Sequence, residues 1–173
     1  YQFPNPKEFS NFQFFSSNNL LLNEDIFKEK WTLVYFGFTR CPAECPVAMS
    51  LMKNLYSTLA TKGFDLSDKQ VLLVTIDPEN DSANDVDKYA KAFNNSFIGI
   101  RGDRPMLLSL ATQLNVMVIE PPKNMHSSNI SHLEKHSNNI LLINPDGKYT
   151  GFFRPPFDED KFLLTYQSVV TPR

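Results

Sequence analysis

Cysteine is scarce: the 173 residues contain only two, Cys41 and Cys45, four positions apart. That excludes the multi-disulfide framework of small secreted domains and leaves the pair to be explained on its own terms. Long apolar runs are absent too. No stretch comes near the roughly 18 consecutive apolar residues that read as a membrane span, and Tyr1 does not open a charged-then-apolar targeting segment. The sequence therefore reads as soluble, and with Tyr in place of an initiator Met its native N-terminus is expected to lie outside it. Neither sign of charge dominates: 17 Lys and Arg against 19 Asp and Glu leave a formal net charge of -2. Such a balance supplies no basic face for a nucleic-acid backbone, and no nucleic-acid partner is expected. Internal repeats and low-complexity tracts are also missing. What is present is 42% hydrophobic residues, with 15 Phe, enough for one continuous core, so residues 1–173 are expected to form a single domain.

The first 26 residues are polar, rich in Asn and Phe, and weakly periodic, an extended N-terminal segment with Phe9, Phe12, Phe14 and Phe15 as its burial candidates. From Trp31 to Thr39 the chain is almost continuously apolar, β-branched and aromatic, as suits a strand buried on both faces. Beyond Pro46, the residues Val47, Leu51, Leu55 and Leu59 recur every four positions, which predicts a helix stopped at Gly63. Val71 to Ile76 is a second buried strand closed by Asp77-Pro78, and Ser82 with Asp85 forms a capping-box pattern opening a helix towards Phe93. A short strand is predicted at Phe97 to Ile100, a helix capped by Asp103 with Pro105 in its first turn, and another strand at Val116 to Ile119. Residues 120–135 form a polar loop longer than most structureless connections, which marks it as functional or mobile. Asn139 to Ile143 and Tyr149 to Phe153 flank the turn residues Pro145-Asp146-Gly147, a hairpin, and a last helix runs from about Asp158 to Val169. Strands alternating with helices and ending in a hairpin plus helix describe an α/β sandwich with a mixed sheet.

The cysteines sit where the first buried strand turns into a helix. Pro46 tolerates only the first turn of a helix, so the helix is expected to start near it, with Cys45 at or beside the N-cap and its sulfur facing the free N–H groups. There the helix dipole favours thiolate over thiol, and Arg40 adds to the effect. The spacing admits a disulfide or convergence on one metal ion. A plain surface cross-link is the bland alternative, but such links gain most by closing long loops, and this one closes a minimal loop.

All three histidines, His126, His132 and His136, fall in or at the end of the long loop. Two thiolates plus one imidazole make a soft site suited to copper, Cu(I) in particular, with zinc the main chemical competitor, and spacing does not choose between the two metals. The default for each histidine is a solvated loop residue; His136 stands out because it lies just before a strand, a rigid position for a ligand. Asp77 ends the second strand at the sheet edge where α/β proteins build sites, or simply serves the turn before Pro78. The acidic stretch Asp77 to Asp87 lacks the glycine and final glutamate of a calcium loop and reads as a solvated helix start. Met117 reads as core and Met125 as solvent-facing.

Four separated blocks resemble the Sco/SenC family: Lys30-Trp31-Thr32-Leu33-Val34-Tyr35-Phe36-Gly37-Phe38-Thr39 leading into Cys41-Pro42 and Cys45-Pro46, then Thr75-Ile76-Asp77-Pro78-Glu79, His136-Ser137, and Asn144-Pro145-Asp146-Gly147. The resemblance covers about Phe9 to Phe162 and implies a thioredoxin-like fold. It further implies a copper chaperone for the binuclear centre of cytochrome c oxidase, with Cys41, Cys45 and His136 as copper ligands and Asp77 in support. It also implies an N-terminal membrane anchor and a location at the periplasmic side of the inner membrane or in the mitochondrial intermembrane space. The chain is read as a monomer whose partner is the copper subunit of the oxidase or another copper protein. It departs from the family pattern at Ala43, where an acidic residue is usual, at Arg40, where histidine is frequent, and at Glu29, where glycine is frequent. A thiol-disulfide oxidoreductase that reduces partner cysteines needs the dithiol but not His136 and is the alternative from the enzyme class. A peroxidase would need a fast reaction of one thiolate with peroxide.

Overall fold

A computed structural model describes residues 1–118 and 138–171. Its centre is a six-stranded mixed sheet. The strands are β1 (Gln2–Lys7), β4 (Trp31–Gly37), β5 (Lys69–Thr75), β6 (Ile98–Ile100), β7 (Ile140–Ile143) and β8 (Tyr149–Phe153), in the order β1-β8-β7-β4-β5-β6. Two short strands, β2 (Phe14–Phe15) and β3 (Leu21–Leu22), make a separate hairpin. The helices are α1 (Glu44–Thr61), α2 (Ala83–Phe93), α3 (Arg104–Gln113) and α4 (Glu159–Val170). Strands β4, β5 and β6 run parallel, joined by α1 and α2, while β7, β8 and β1 complete the sheet antiparallel. This is the expected α/β thioredoxin-like arrangement with an N-terminal extension and a C-terminal hairpin plus helix.

The two central strands read as unbroken apolar runs because both faces are covered. Leu33 to Gly37 on β4 and Val71 to Val74 on β5 are all buried, and they pair residue for residue from Trp31 with Lys69 to Gly37 with Thr75. Helix α1 buries Cys45, Ala48, Met49, Leu51, Met52, Leu55, Tyr56 and Leu59. Val47, which the four-residue spacing places on that face, is instead 59% exposed, because the buried face follows 3.6 residues per turn and Ala48 and Met52 occupy it. The caps match the sequence signals. Ser82 and Asp85 form a full capping box on α2, Asp103 caps α3 ahead of Pro105, and Gly63 takes φ +80 just past α1.

Three expectations fail. Residues 116–118 do not form a strand, and Met117 is 60% exposed rather than core, since the chain leaves α3 along the surface. The acidic run from Asp77 to Asp87 is not simply solvated: Asp77, Asp81 and Asp87 are buried, each with hydrogen-bond partners. Within the N-terminal segment Phe12 and Phe14 enter the core, whereas Phe15 stays partly exposed. The loop 120–135, with Met125, lies outside the described residues. No helix among the described residues is long and apolar enough to cross a membrane.

Helix α2 lies directly on β6. A Cβ at Gly99 would fall 2.2 Å from the Val86 carbonyl oxygen, so only glycine lets the two backbones approach this closely. Asp87 reinforces the contact: its Oδ1 accepts the Gly99 N–H at 3.0 Å and Lys91 Nζ at 2.6 Å. Burial pushes the Asp87 carboxyl up, but Lys91, the Gly99 N–H and Ser17 outweigh it and hold the carboxyl below its usual range. Gly99→Ala is expected to cost about 1–3 kcal/mol through overpacking, read as a lower urea midpoint; an unchanged midpoint would show that α2 can slide off β6.

Candidate functional site

At the end of β4 the chain makes a tight turn, with the Cys41 N–H donating to the Phe38 carbonyl at 3.2 Å. Helix α1 then begins at Glu44, with Ala43 at the N-cap and no side-chain cap from it. Pro46 occupies the first turn, where its missing N–H is not needed. Cys45 is therefore inside the helix rather than at its cap, and its side chain points inward, fully buried. The sulfur at the helix N-terminus belongs to Cys41: its Sγ accepts the Cys45 N–H at 3.4 Å, the place a capping oxygen would take. Cys41 is 5% exposed, Glu44 Oε2 lies 4.0 Å from its sulfur, and the two cysteines are not joined in a disulfide.

The two thiols occupy unequal environments. A hydrogen bond to the Cys41 sulfur, then burial and the charge of Cys41, push the Cys45 thiol well above its ordinary range; the Phe38 backbone and the Tyr35 hydroxyl oppose this and are outweighed. Cys45 thus keeps its proton in the metal-free reduced pair. Tyr35 is fully buried, and burial first, then the two cysteine sulfurs, hold its phenol protonated far above the usual range. The inner sulfur fits because β4 ends in glycine: a Cβ on Gly37 would sit 2.8 Å from Cys45 Sγ and 3.2 Å from Tyr35 Cε1.

Two buried carboxylates brace the turn. Asp77, with no exposed surface, accepts Arg40 Nη2 at 2.7 Å and Asn80 Nδ2 at 3.0 Å, and its own N–H donates to Thr75 Oγ1. It acts on the turn through Arg40, the neighbour of Cys41. Asp81 accepts the Thr39 N–H at 3.0 Å, the Thr39 hydroxyl, and the Thr75 hydroxyl at 2.8 Å, joining the ends of β4 and β5. Each carboxylate is satisfied by several donors, as a buried charge requires.

Across the sheet, the Tyr35 hydroxyl donates to Asn138 Oδ1 at 3.0 Å, 103 positions along the chain. His136, like His126 and His132, lies outside the described residues. Among the described residues no group of three or more His, Cys, Asp or Glu side chains could hold a metal ion. The described part of the site is a dithiol, soft and nearly enclosed, which fits Cu(I) better than harder cations.

Sequence reasoning finds both cysteines and Asp77 but misses Asp81, Gly37, Tyr35 and Asn138. The signal for Asp81 is its position four residues after Asp77, beside threonines at the ends of both central strands, Thr39 and Thr75. Nothing comparable marks Tyr35 in an apolar run.

The SCO1/SenC family model matches residues 3–171. The chain is 27% identical over 157 residues, 91% of its own length and 74% of the relative's, to a Stutzerimonas stutzeri protein named for copper binding. It is 30% identical over 124 residues to the human mitochondrial SCO1 homolog, covering 72% of this chain and 40% of that one. The solution structure of apo Sco1 from Thermus thermophilus superposes with a TM-score of 0.82 at 26% identity, covering 98% of this chain and 95% of that one.

Exposure and protonation predict an order of reactivity. With limiting iodoacetamide, the reduced protein is expected to be labelled at Cys41, and Cys45→Ser to react about tenfold faster than Cys41→Ser. Equal rates for the two variants would contradict the buried, proton-retaining placement of Cys45.

Proposed function

Because the chain belongs to the SCO1/SenC family, we propose that it binds one copper ion through Cys41, Cys45 and His136 and supports assembly of the copper centre of cytochrome c oxidase. The observation that carries this reading is the enclosed pair of thiols at the start of α1, with the chain returning to their neighbour Tyr35 at Asn138, two residues after His136. The Stutzerimonas relative named for copper binding supports the choice of metal. Two thiolates and an imidazole favour Cu(I) over zinc. Asp77 takes a supporting role: it holds the side chain of Arg40, the residue before Cys41, and so braces the turn that carries the dithiol. The partner is the copper subunit of the oxidase or another copper protein. Residues 1–173 act as one thioredoxin-like monomeric unit at the periplasmic side of the inner membrane.

A thiol-disulfide oxidoreductase is the second reading. The unequal thiols favour it: an outer sulfur accepting the Cys45 N–H and an inner one directly behind it are the arrangement of an attacking and a resolving thiol. One dithiol can serve both roles in different states.

Copper titration of the reduced protein is expected to saturate at about one equivalent, as a single soft site implies. Outer hydrogen-bond partners of metal ligands are already worth about 10- to 100-fold in affinity, so His136→Ala should weaken copper by at least that while leaving the far-UV spectrum intact. Unchanged affinity in that variant would remove His136 from the site and favour the oxidoreductase.

Copper must also displace the proton that Cys45 retains. Because that thiol is pushed up, the proton is present throughout the neutral range, and apparent Cu(I) affinity should rise about tenfold per pH unit for each proton released. Affinity flat between pH 6 and 8, measured by competition with a chelator whose own titration is corrected, would mean that Cys45 is not a thiolate ligand.

A further inference from the structure

The segment that braces the dithiol has an outer handle. From Asp77 to Asp81 the chain closes on itself, with the Asn80 and Asp81 N–H groups both donating to the Asp77 carbonyl, at 3.0 and 2.8 Å. Its three acids divide by side. Asp77 and Asp81 are buried and hold the turn that carries the cysteines, one through Arg40 and the other through Thr39. Glu79 lies between them in sequence, half exposed, and faces away to Arg104: its Oε1 accepts from Nε at 3.0 Å and its Oε2 from Nη2. Such two-pronged pairing fixes orientation as well as distance.

Arg104 is well placed to hold still what it grips. It is the first residue of α3, a helix capped by Asp103 through the Met106 N–H at 3.0 Å and continued at once by Pro105. Its side chain is only 13% exposed, and the remaining nitrogen, Nη1, is buried without a hydrogen-bond partner among the described residues. Burying a guanidinium nitrogen unpaired costs free energy, and packing alone would be better served by methionine. That cost points to a residue kept for its grip on Glu79. Arg101 adds a second hold from the same corner of the fold, its Nε donating to the Pro78 carbonyl at 2.9 Å. The corner between β6 and α3 therefore clasps the outer side of a segment whose inner side clasps Arg40 and Thr39.

We propose that Arg104 is a positioning residue for the dithiol: by holding Glu79 it fixes the segment from Asp77 to Asp81, and that segment, through Arg40 and Thr39, sets where Cys41 stands relative to Cys45. This role rests on the reading of Cys41 and Cys45 as the working pair. Cys45 is held by α1 itself, whereas Cys41 lies on the turn before it. Closing a disulfide and holding one Cu(I) both need the two sulfurs in place at once, so both lose effective concentration when the support of Cys41 loosens.

The test compares wild type, Glu79→Gln, Arg104→Met, the double variant and Lys91→Met as the full 173-residue chain. The main readout is the equilibrium with glutathione. The two protein thiols give up two electrons and two protons to one glutathione disulfide, which leaves as two glutathione thiols. Each single variant at Glu79 or Arg104 should lower the equilibrium constant for closing the Cys41–Cys45 disulfide about three- to tenfold, the value of one hydrogen bond. Cu(I) affinity, read by chelator competition, should fall by a similar factor. The double variant should be no worse than the worse single, because both cuts remove one shared link. Lys91→Met removes an ion pair of the same kind, to Asp87 Oδ1 at 2.6 Å, that does not touch the segment. It should lower the urea midpoint and leave the glutathione constant unchanged. A wild-type constant in Glu79→Gln and Arg104→Met, additive losses in the double variant, or an equal loss in Lys91→Met would overturn the positioning role. If Arg104→Met does not fold, Glu79→Gln decides by the same constant, since it cuts the link from its half-exposed end. A wild type that takes up no Cu(I) strikes the copper reading instead, while the glutathione constants still decide the role of Arg104.

Discussion

Asp81 ties the turn that leaves β4 to the end of β5. Beyond Gly37 the chain leaves the sheet on its way to α1, and among the contacts that hold the turn carrying the cysteines to the end of β5 is the Asp81 carboxylate, which accepts from Thr39 and Thr75. A buried carboxylate is stable only while its donors stay in place. The constraint is therefore reciprocal: Asp81 fixes Thr39, and Thr39 and Thr75 hold the buried Asp81 side chain in place. The position of Cys41, two residues after Thr39, follows from that junction, and so does the Arg40 contact with Asp77.

The same economy appears at Gly37. Residues that pack a core usually do so by adding atoms; here the useful property is a missing one, since the inner sulfur, the Tyr35 ring and Leu73 all close on the space a methyl group would fill. The site is thus built into the strand that supports it. β4 contributes Tyr35 and Gly37 to the floor, and its continuation contributes Thr39, Arg40 and Cys41 to the rim.

Much of this was legible in the sequence. Continuous apolar runs mark β4 and β5 because both their faces are covered, and Ser82, Asp103 and Gly63 mark helix ends because backbone groups there need specific partners or φ values. Cys41 and Cys45 stand out by scarcity and by their place between a strand and a proline. What escaped was whatever depends on distance across the fold. Asp81 looks like one more acid in a polar stretch until Thr39 and Thr75 are seen around it, and Tyr35 looks like core until Asn138, 103 positions away, is brought beside it. The helix start was misplaced by two residues because Pro46 fits a first turn at more than one position, and that small shift exchanged the roles of the two sulfurs.

The unequal depth of those sulfurs imposes a direction on traffic through the site. With Cys45 wholly enclosed and Cys41 showing 5% of its surface, anything arriving from solvent meets the outer sulfur first and the inner one second. Microscopic reversibility then requires departure in the opposite order, inner bond broken before outer. On the copper-binding reading proposed above, the outer cysteine is the first to engage and the last to let go, so a recipient would compete at Cys41, at the surface, without entering the core.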